Sequence, residues 1–140
     1  MSRLKLERPL VSFDLETTGI SIVNDRIVQI ALSKISQKDG KFSHLDYSWV
    51  VNPEMPIPIE ASEVHGIYDQ DVVDKPTFKD IADDVYDILR NCDVLGYNSN
   101  RFDIPILGGA LLKCGIVFPE ETTKRIDAQV IFHNREPRNL

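Results

Sequence analysis

The feature that most constrains this sequence is an apolar segment, residues 10–16, that ends in two acids (LVSFDLE). Side chains on a strand alternate between two faces, so Asp14 and Glu16 share one face while Phe13 and Leu15 share the other. Two neighbouring carboxylates on a core strand repel each other and lose hydration, and a bridging cation relieves both penalties. Hard oxygen donors favour Mg²⁺ or Mn²⁺. The alternative is two acids at a solvated strand end, because Asp-x-Glu alone is a common sequence.

Three residues with small polar or no side chains, Thr17, Thr18 and Gly19, follow the second acid. Glycine permits a tight turn and a close approach of the backbone to another group. The two hydroxyls and the nearby backbone amides are suited to contact a polar ligand. This context favours a ligand site over a solvated strand end.

The composition restricts the class of protein. The chain has 140 residues, of which 42% are hydrophobic and 27% charged, as expected for one soluble globular domain. No apolar run has the length of a membrane span and the first residues lack a secretory signal, so we expect a cytoplasmic protein without membrane contact. The net charge of −6 argues against passive coating of nucleic acid, and metal ions would have to offset an acidic site.

Hydrophobic periodicity and turn residues predict a mixed α/β sheet with helices on its faces. The predicted strands cover residues 10–16, 26–36, 42–51, 93–97 and 125–127. The predicted helices cover residues 59–65, 76–90, 101–114 and, as the start of a further helix, 128–133. The first three strands form an antiparallel meander, and an Asp-Gly turn at residues 39–40 joins the second strand to the third.

Five residues are expected to set the helix boundaries or the helix packing. Gly66 ends the first helix, and Pro76 opens the second at a position that proline favours. Pro105 is placed in the first turn of the third helix. Two adjacent glycines, residues 108–109, weaken that helix by about 1 kcal/mol each relative to alanine, which suggests close packing on a neighbouring element.

A second polar stretch, GYNSNRFDIPIL at residues 96–107, surrounds the start of the third long helix. Asp103 lies in its first turn. Taken by itself, this carboxylate could simply cap the helix or complement the helix dipole. Its combination with the first acidic stretch favours a role for Asp103 in a functional site over a role as a helix cap.

Together the two stretches resemble the DEDDh 3′–5′ exonuclease family, which includes the proofreading epsilon subunit of bacterial DNA polymerase III and ribonuclease T. The resemblance is carried by F-D-x-E-T-T-G at residues 13–19, by G-Y-N-x-x-x-F-D-x-P-x-L at residues 96–107 and, more weakly, by V-H-G-I at residues 64–67. It covers roughly residues 8–135. It implies a ribonuclease H-like fold with a five-stranded mixed sheet, in a single exonuclease-like domain over residues 1–140.

The resemblance also implies the residues of a metal-dependent active site. Two divalent ions, Mg²⁺ or Mn²⁺, would drive phosphodiester hydrolysis by the two-metal mechanism. Asp14 would bridge both ions, Glu16 would bind one ion and orient water, and Asp103 would bind the second ion. The residues expected to contact the 3′-terminal nucleotide are Thr17, Thr18, Gly19, His65, Asn98 and Phe102.

Three of the matched positions keep a structural alternative. Phe102 is equally consistent with a core residue. His65 is equally consistent with a residue that closes its short helix. Asp127 matches an acid that usually begins the next helix in this family, so we interpret it as a cap and not as a ligand.

The family's last motif, a histidine followed five positions later by an aspartate, is missing. That histidine is the general base and the aspartate is the fourth carboxylate. The residues five positions after His44, His65 and His133 are tryptophan, glutamine and arginine. We therefore expect a domain truncated at its C-terminus, with a natural partial domain as the alternative to truncation, and in either form little or no nuclease activity unless a partner chain supplies the missing residues. The alternative is a non-catalytic module of the same fold that binds nucleic acid or a polymerase.

The expected partners follow from the same resemblance. They are a single-stranded 3′ end of DNA or RNA and a DNA polymerase. Loss of the final segment would remove helical cover from the sheet, and exposed apolar surface of that kind favours self-association, so a homodimer is also expected.

Overall fold

The computed structural model describes residues 5–96 and 100–127, with only the backbone described at residues 96, 100, 101 and 127. The strands are β1 (Leu10–Thr17), β2 (Ile27–Lys38), β3 (Lys41–Val50), β4 (Asp93–Gly96) and β5 (Arg125–Asp127). The helices are α1 (Ile59–His65), α2 (Asp69–Val72), α3 (Phe78–Leu89) and α4 (Asn100–Leu112).

The five strands form one sheet in the order β3-β2-β1-β4-β5. The β1–β2 and β2–β3 pairs are antiparallel, whereas β4 is parallel to both β1 and β5. This arrangement confirms the predicted meander followed by parallel strands. Since β1 lies at the centre and α4 follows β4, the carboxyl end of β1 and the beginning of α4 belong to the same edge of the sheet, where open α/β sheets bind ligands.

The main hydrophobic core lies between one face of the sheet and helices α3 and α4. Val11, Phe13 and Leu15 of β1 pack there with Val85 of α3 and Leu107 of α4. On the other face, Leu10 packs in a small separate cluster, and the rest of the β1 surface is polar. The strand periodicity therefore divides β1 into a core face and an acidic face, as the sequence predicts.

Two helix starts differ from the predicted ones. Pro76 precedes α3 and does not open it: Thr77 is the N-cap, its side chain accepts from the Asp80 N–H, and Asp80 bonds back to the Thr77 N–H. This capping box satisfies two free backbone donors and so fixes the start of the helix. Helix α4 begins at Asn100, which places Pro105 inside the helix and not in its first turn.

The remaining differences are local. Helix α2 was not predicted, because four residues are too few for helical periodicity.

A Cβ on Gly108 would lie 2.7 Å from the Phe118 carbonyl oxygen, which confirms close packing there, whereas Gly109 has open space. The predicted helix at 128–133 lies outside the described residues. Among those residues no helix is long and apolar enough to cross a membrane.

Candidate active site

The two acids of β1 lie where the strand leaves its regular pairing. Asp14 is exposed and Glu16 is half-buried, while their neighbours Phe13 and Leu15 are buried on the opposite face. The register between β1 and β2 shifts between Glu16 and Thr17. A bulge of this kind bends the strand and re-aims its side chains, and such bulges are frequent beside active sites.

Asp103 brings a third carboxyl group to this end of β1. It lies in the first turn of α4 and is only 8% exposed. The pKa of Asp103 is raised to about 6, chiefly by burial and then by the negative charges of Asp14 and Glu16, while a hydrogen bond from the Leu15 backbone acts in the opposite direction. Asp14, Glu16 and Asp103 therefore interact electrostatically, although they are far apart in the sequence.

The chemistry of these three side chains suits a cation. All their ligand atoms are hard carboxylate oxygens, and a bound divalent ion would relieve the electrostatic repulsion between the three carboxylates. However, the described residues contain no group of three or more His, Cys, Asp or Glu side chains that could hold a metal ion as they stand. The type of ligand atom therefore suits a divalent ion, but the three side chains are not already arranged around one point as metal ligands.

Thr18 is not placed as a ligand contact would be. Its side chain is 1% exposed, and its hydroxyl donates to Asp25 Oδ1 at 2.8 Å while accepting from the Arg26 N–H at 2.9 Å. This placement differs from the expectation that Thr18 contacts a nucleotide. The reason is that the loop folds back on itself and uses the hydroxyl internally. Thr17, which is half-buried, donates from its own hydroxyl to the Gly19 carbonyl at 2.6 Å.

Asp25 is the residue of this loop that sequence reasoning missed. Besides Thr18, its carboxylate accepts from the Ser21 N–H at 2.7 Å. A Cβ on Gly19 would lie 2.6 Å from Asp25 Oδ2, so glycine is needed here for the close approach of the carboxylate. The available signal was an acid within a short loop whose threonine and free amides require an acceptor.

His65 joins the end of α1 to the end of β1. Its Nδ1 accepts from the Ile67 N–H at 3.1 Å, so the proton of the neutral ring lies on Nε2, which donates to the Thr17 carbonyl at 3.2 Å. Gly66 ends α1 with a φ of 78°, as predicted. Both ring nitrogens of His65 are thus used within the protein, and the residue does close its helix.

The structure places the remaining predicted residues less specifically. Phe102 is half-buried and packs against the main core cluster, which favours its interpretation as a core residue. Asn98 lies outside the described residues, as does the helix that Asp127 was expected to cap. The roles of these residues in binding a nucleotide stay predictions.

A mixed sheet with helices packed on it, and three interacting acids at the carboxyl end of its central strand, defines the class: an α/β protein with a candidate ligand site at that end. Comparison with known proteins then gives the family. A family model described as Exonuclease (RNase_T) matches residues 11–134. The chain belongs to this exonuclease family, in agreement with the resemblance stated from the motifs.

Relatives of known sequence and structure agree with this assignment. The chain is 34% identical over 132 residues to DNA polymerase III subunit epsilon of Rickettsia prowazekii, which covers 91% of the chain and 56% of that relative. It is 33% identical over 100 residues to the Buchnera aphidicola epsilon subunit, covering 68% of the chain and 42% of the relative. The chain thus spans about half the length of these curated relatives.

The fold matches that of E. coli exonuclease I. The structure of that enzyme in complex with a dT13 oligonucleotide superposes with a TM-score of 0.75 at 17% identity, over 96% of this chain and 31% of the other. At this identity the match concerns the fold, and it confirms the predicted ribonuclease H-like arrangement.

Proposed function

We propose that this chain is the carboxylate-bearing part of a metal-dependent 3′–5′ exonuclease, which hydrolyses the terminal phosphodiester bond of DNA or RNA. The observation that carries the proposal is the electrostatic coupling of Asp103 to Asp14 and Glu16. Perturbed carboxyl groups gathered at the carboxyl end of a central strand are a signature of catalytic sites. Family membership supports a nuclease in general terms.

Asp14, Glu16 and Asp103 would hold two divalent ions, Mg²⁺ or Mn²⁺. When bound, these ions supply activation of water and stabilisation of the leaving oxygen. Asp14, the exposed acid at the centre of the acidic face, is the proposed bridging ligand. Glu16, beside the bulge, is the proposed ligand that also orients water, and Asp103 completes the set from α4.

The residues that the structure describes offer no evident general base, and we propose that the 140-residue chain cleaves poorly. In the part of the chain that the structure describes, the histidines are His44 and His65. His44 lies on the exposed strand β3, two strands away from Asp14. His65 has both ring nitrogens engaged, one by the Ile67 amide and one with the Thr17 carbonyl. A general base needs a ring nitrogen that is free to accept a proton from water.

The proposed substrate is a single-stranded 3′ end. Exonuclease I has been solved with bound dT13, and several relatives are named as subunits of DNA polymerase III. By analogy, we propose that this chain binds the end of an oligonucleotide and that it works with a polymerase. We also propose that it does so in the cytoplasm. The proposed nucleotide contacts are Thr17, Gly19, His65, Asn98 and Phe102, with Thr18 contributing through the loop that it stabilises.

A second candidate is a binding module that keeps the fold without catalysis. One observation favours it: the acids that the structure describes form no ready metal cage. Against it stands Asp103, since a buried carboxyl group beside two other acids is costly to retain without a cation.

The two candidates differ in their response to metal. For an exonuclease, Mn²⁺ raises the melting temperature of the chain by several degrees, and Asp14→Ala removes this rise. Asp84→Ala, an exposed acid on α3, is the matched control and should leave the rise unchanged. Equal responses of wild type and Asp14→Ala would contradict the proposed metal site.

Activity is tested on 3′-labelled DNA and RNA oligonucleotides with Mn²⁺, with EDTA as the control. A longer version of the chain from the parent gene is assayed beside the 140-residue chain. Cleavage by the longer chain only, and its loss in Asp14→Ala, would support both the exonuclease proposal and the low activity of this chain. Rapid cleavage by the 140-residue chain would refute the latter, and no cleavage by either would favour the binding module.

A further inference from the structure

Strand β3 (Lys41–Val50) forms an open edge of the sheet. It is the terminal strand, and no other strand in the described residues pairs with its outer side. Its register with β2 is continuous over ten residue pairs, without a bulge, and the strand contains neither proline nor glycine. Bulges, prolines, short length and charged side chains are the usual devices that protect an edge from pairing with another chain. This edge has no bulge and no proline and is ten residues long, and its charged residues are Lys41 at its start and Asp46.

The turn before β3 determines which backbone groups face outward. The Lys38–Lys41 pair closes the two-residue turn at 39–40, and the closing pair of such a hairpin is hydrogen-bonded within the hairpin. Backbone direction alternates along a strand, so every second residue from Lys41 bonds to β2. The outward-facing donors and acceptors then belong to Phe42, His44, Asp46 and Ser48.

We propose that a second copy of this chain pairs with β3 in antiparallel orientation, with Leu45 opposite Leu45 on the two-fold axis. This register places His44 opposite Asp46 twice, once on each side of the axis. The outward-facing N–H and C=O groups of His44 in one chain then bond to those of Asp46 in the other chain. The two Leu45 residues lie opposite each other between these pairs, at a position where the strands exchange no backbone hydrogen bonds. The chain offers apolar surface for this contact, since Leu45 is 63% and Phe42 is 49% exposed.

The polar side chains on β3 select this register over its neighbours. A shift by two residues in one direction would place Asp46 opposite Asp46, and like charges directly opposite each other destabilise a strand pair. The same shift in the other direction would place His44 opposite His44, away from the carboxylate acceptor that Asp46 offers in the proposed register. A shift by one residue would bring outward-facing backbone groups against inward-facing ones. The side chains of His44 and Asp46 are 64% and 68% exposed, and their 3.5 Å contact within one chain would be exchanged for the same pair between two chains.

The resulting dimer has a defined geometry. The two five-stranded sheets join edge to edge, and because Leu45 meets Leu45 on the same face, the two-fold axis is perpendicular to the sheet. Both acidic faces, each with its Asp14, therefore open on the same side of the assembly. This inference does not depend on the proposed nuclease activity, since β3 lies at the edge of the sheet, away from β1.

Light scattering after size exclusion tests the assembly. The wild-type chain should elute at twice the mass of one chain at high micromolar concentration and dissociate on dilution. Leu45→Lys, an exposed position where folding is unaffected, should stay at the mass of one chain. A wild-type chain that is monomeric at every concentration would overturn the proposal.

A charge exchange tests the His44–Asp46 contacts. His44→Asp places two acids opposite each other on both sides of the axis and should weaken the dimer about tenfold. The double variant His44→Asp with Asp46→His restores the His–Asp pairs in the same register and should recover dimerisation to about the wild-type level. Failure of the exchange to restore the dimer would refute this register.

Disulfide trapping tests the axis directly. In a Cys114→Ser background, Leu45→Cys should form a covalent dimer on mild oxidation. Ser43→Cys is the matched control: it is exposed on the same face of β3, but its copies would be about 13 Å apart along the strands, too far for a disulfide. Equal trapping of both variants would show unspecific association and would overturn the proposal.

Discussion

Two nearly buried aspartates lie at opposite ends of the parallel β1–β4 pair, and their surroundings are opposite in charge. Asp93, 4% exposed at the start of β4, accepts from Arg8 Nε at 3.0 Å and from the Lys124 N–H at 2.9 Å. Asp103, 8% exposed at the start of α4, has the acids Asp14 and Glu16 as its charged neighbours.

The difference separates an acid that supports the fold from one that is suited to a ligand. The charge of Asp93 is compensated by a cation and by an amide of the chain itself, and these contacts tie the N-terminal segment to β4 and β5. The charge of Asp103 is opposed by its neighbours, so the fold carries an electrostatic cost that a bound cation would remove. Among the described residues, a buried carboxylate whose charged neighbours are acids is therefore the stronger sign of function.

The largest expected effect is at the compensated acid. Asp93→Ala removes the carboxylate partner of the partly buried Arg8, which keeps its hydrogen bond to the Thr122 carbonyl. It also removes the acceptor of the Lys124 N–H, so it should lower the free energy of unfolding by about 2–4 kcal/mol. Urea denaturation measures this change. The exposed control Asp84→Ala should change the same quantity by less than about 0.5 kcal/mol. A loss below about 1 kcal/mol at Asp93 would contradict its assignment as an acid that supports the fold.

A smaller effect is expected at Asp25, which lies near the acidic site but, unlike Asp103, is held by hydrogen bonds within its own loop. Asp25→Ala removes the acceptor of the Thr18 hydroxyl and the Ser21 N–H and should cost about 1–3 kcal/mol. Gly19→Ala should be destabilising in the wild type, because its Cβ meets the Asp25 carboxylate, and nearly neutral in the Asp25→Ala background. A double-mutant cycle measures this coupling, and strict additivity of the two changes would argue against the contact.

The smallest expected effect has the opposite sign and occurs at Asp103. Its pKa is about 6 in the folded chain, above the ordinary value of 3.8, so the folded state holds this proton more tightly than the unfolded state does. The resulting destabilisation is small below pH 4, grows as the pH rises, and is complete above about pH 6. Without metal, Asp103→Asn should therefore stabilise the chain by about 1–2 kcal/mol at pH 7.5.

The pH series provides the control for this variant. The gain from Asp103→Asn should shrink as the pH falls through 6 toward 4, and Mn²⁺ should reduce it at pH 7.5 by stabilising the wild type. Thermal or urea unfolding at each pH measures the difference between the two chains. A gain that is independent of pH would mean that Asp103 does not carry the raised pKa.

The sequence by itself determined the elements whose signals are local. Alternation of polar and apolar residues along 10–16 identified β1 and its two faces, Asp-Gly identified the β2–β3 hairpin, and Gly66 identified the end of α1. These signals depend on φ, ψ and side-chain direction within a few residues, which the sequence encodes directly. The paired acidic motifs likewise sufficed to recognise the family.

Only the tertiary structure decided which polar groups satisfy each other. Thr18 has the same side chain as Thr17, yet its hydroxyl is buried against Asp25. His65 bonds to a carbonyl 48 positions earlier. Asp93 and Asp103 have the same side chain, and packing gives one of them an arginine and the other two acids. Charge compensation and burial depend on groups that are distant in the sequence, so no local pattern could assign them.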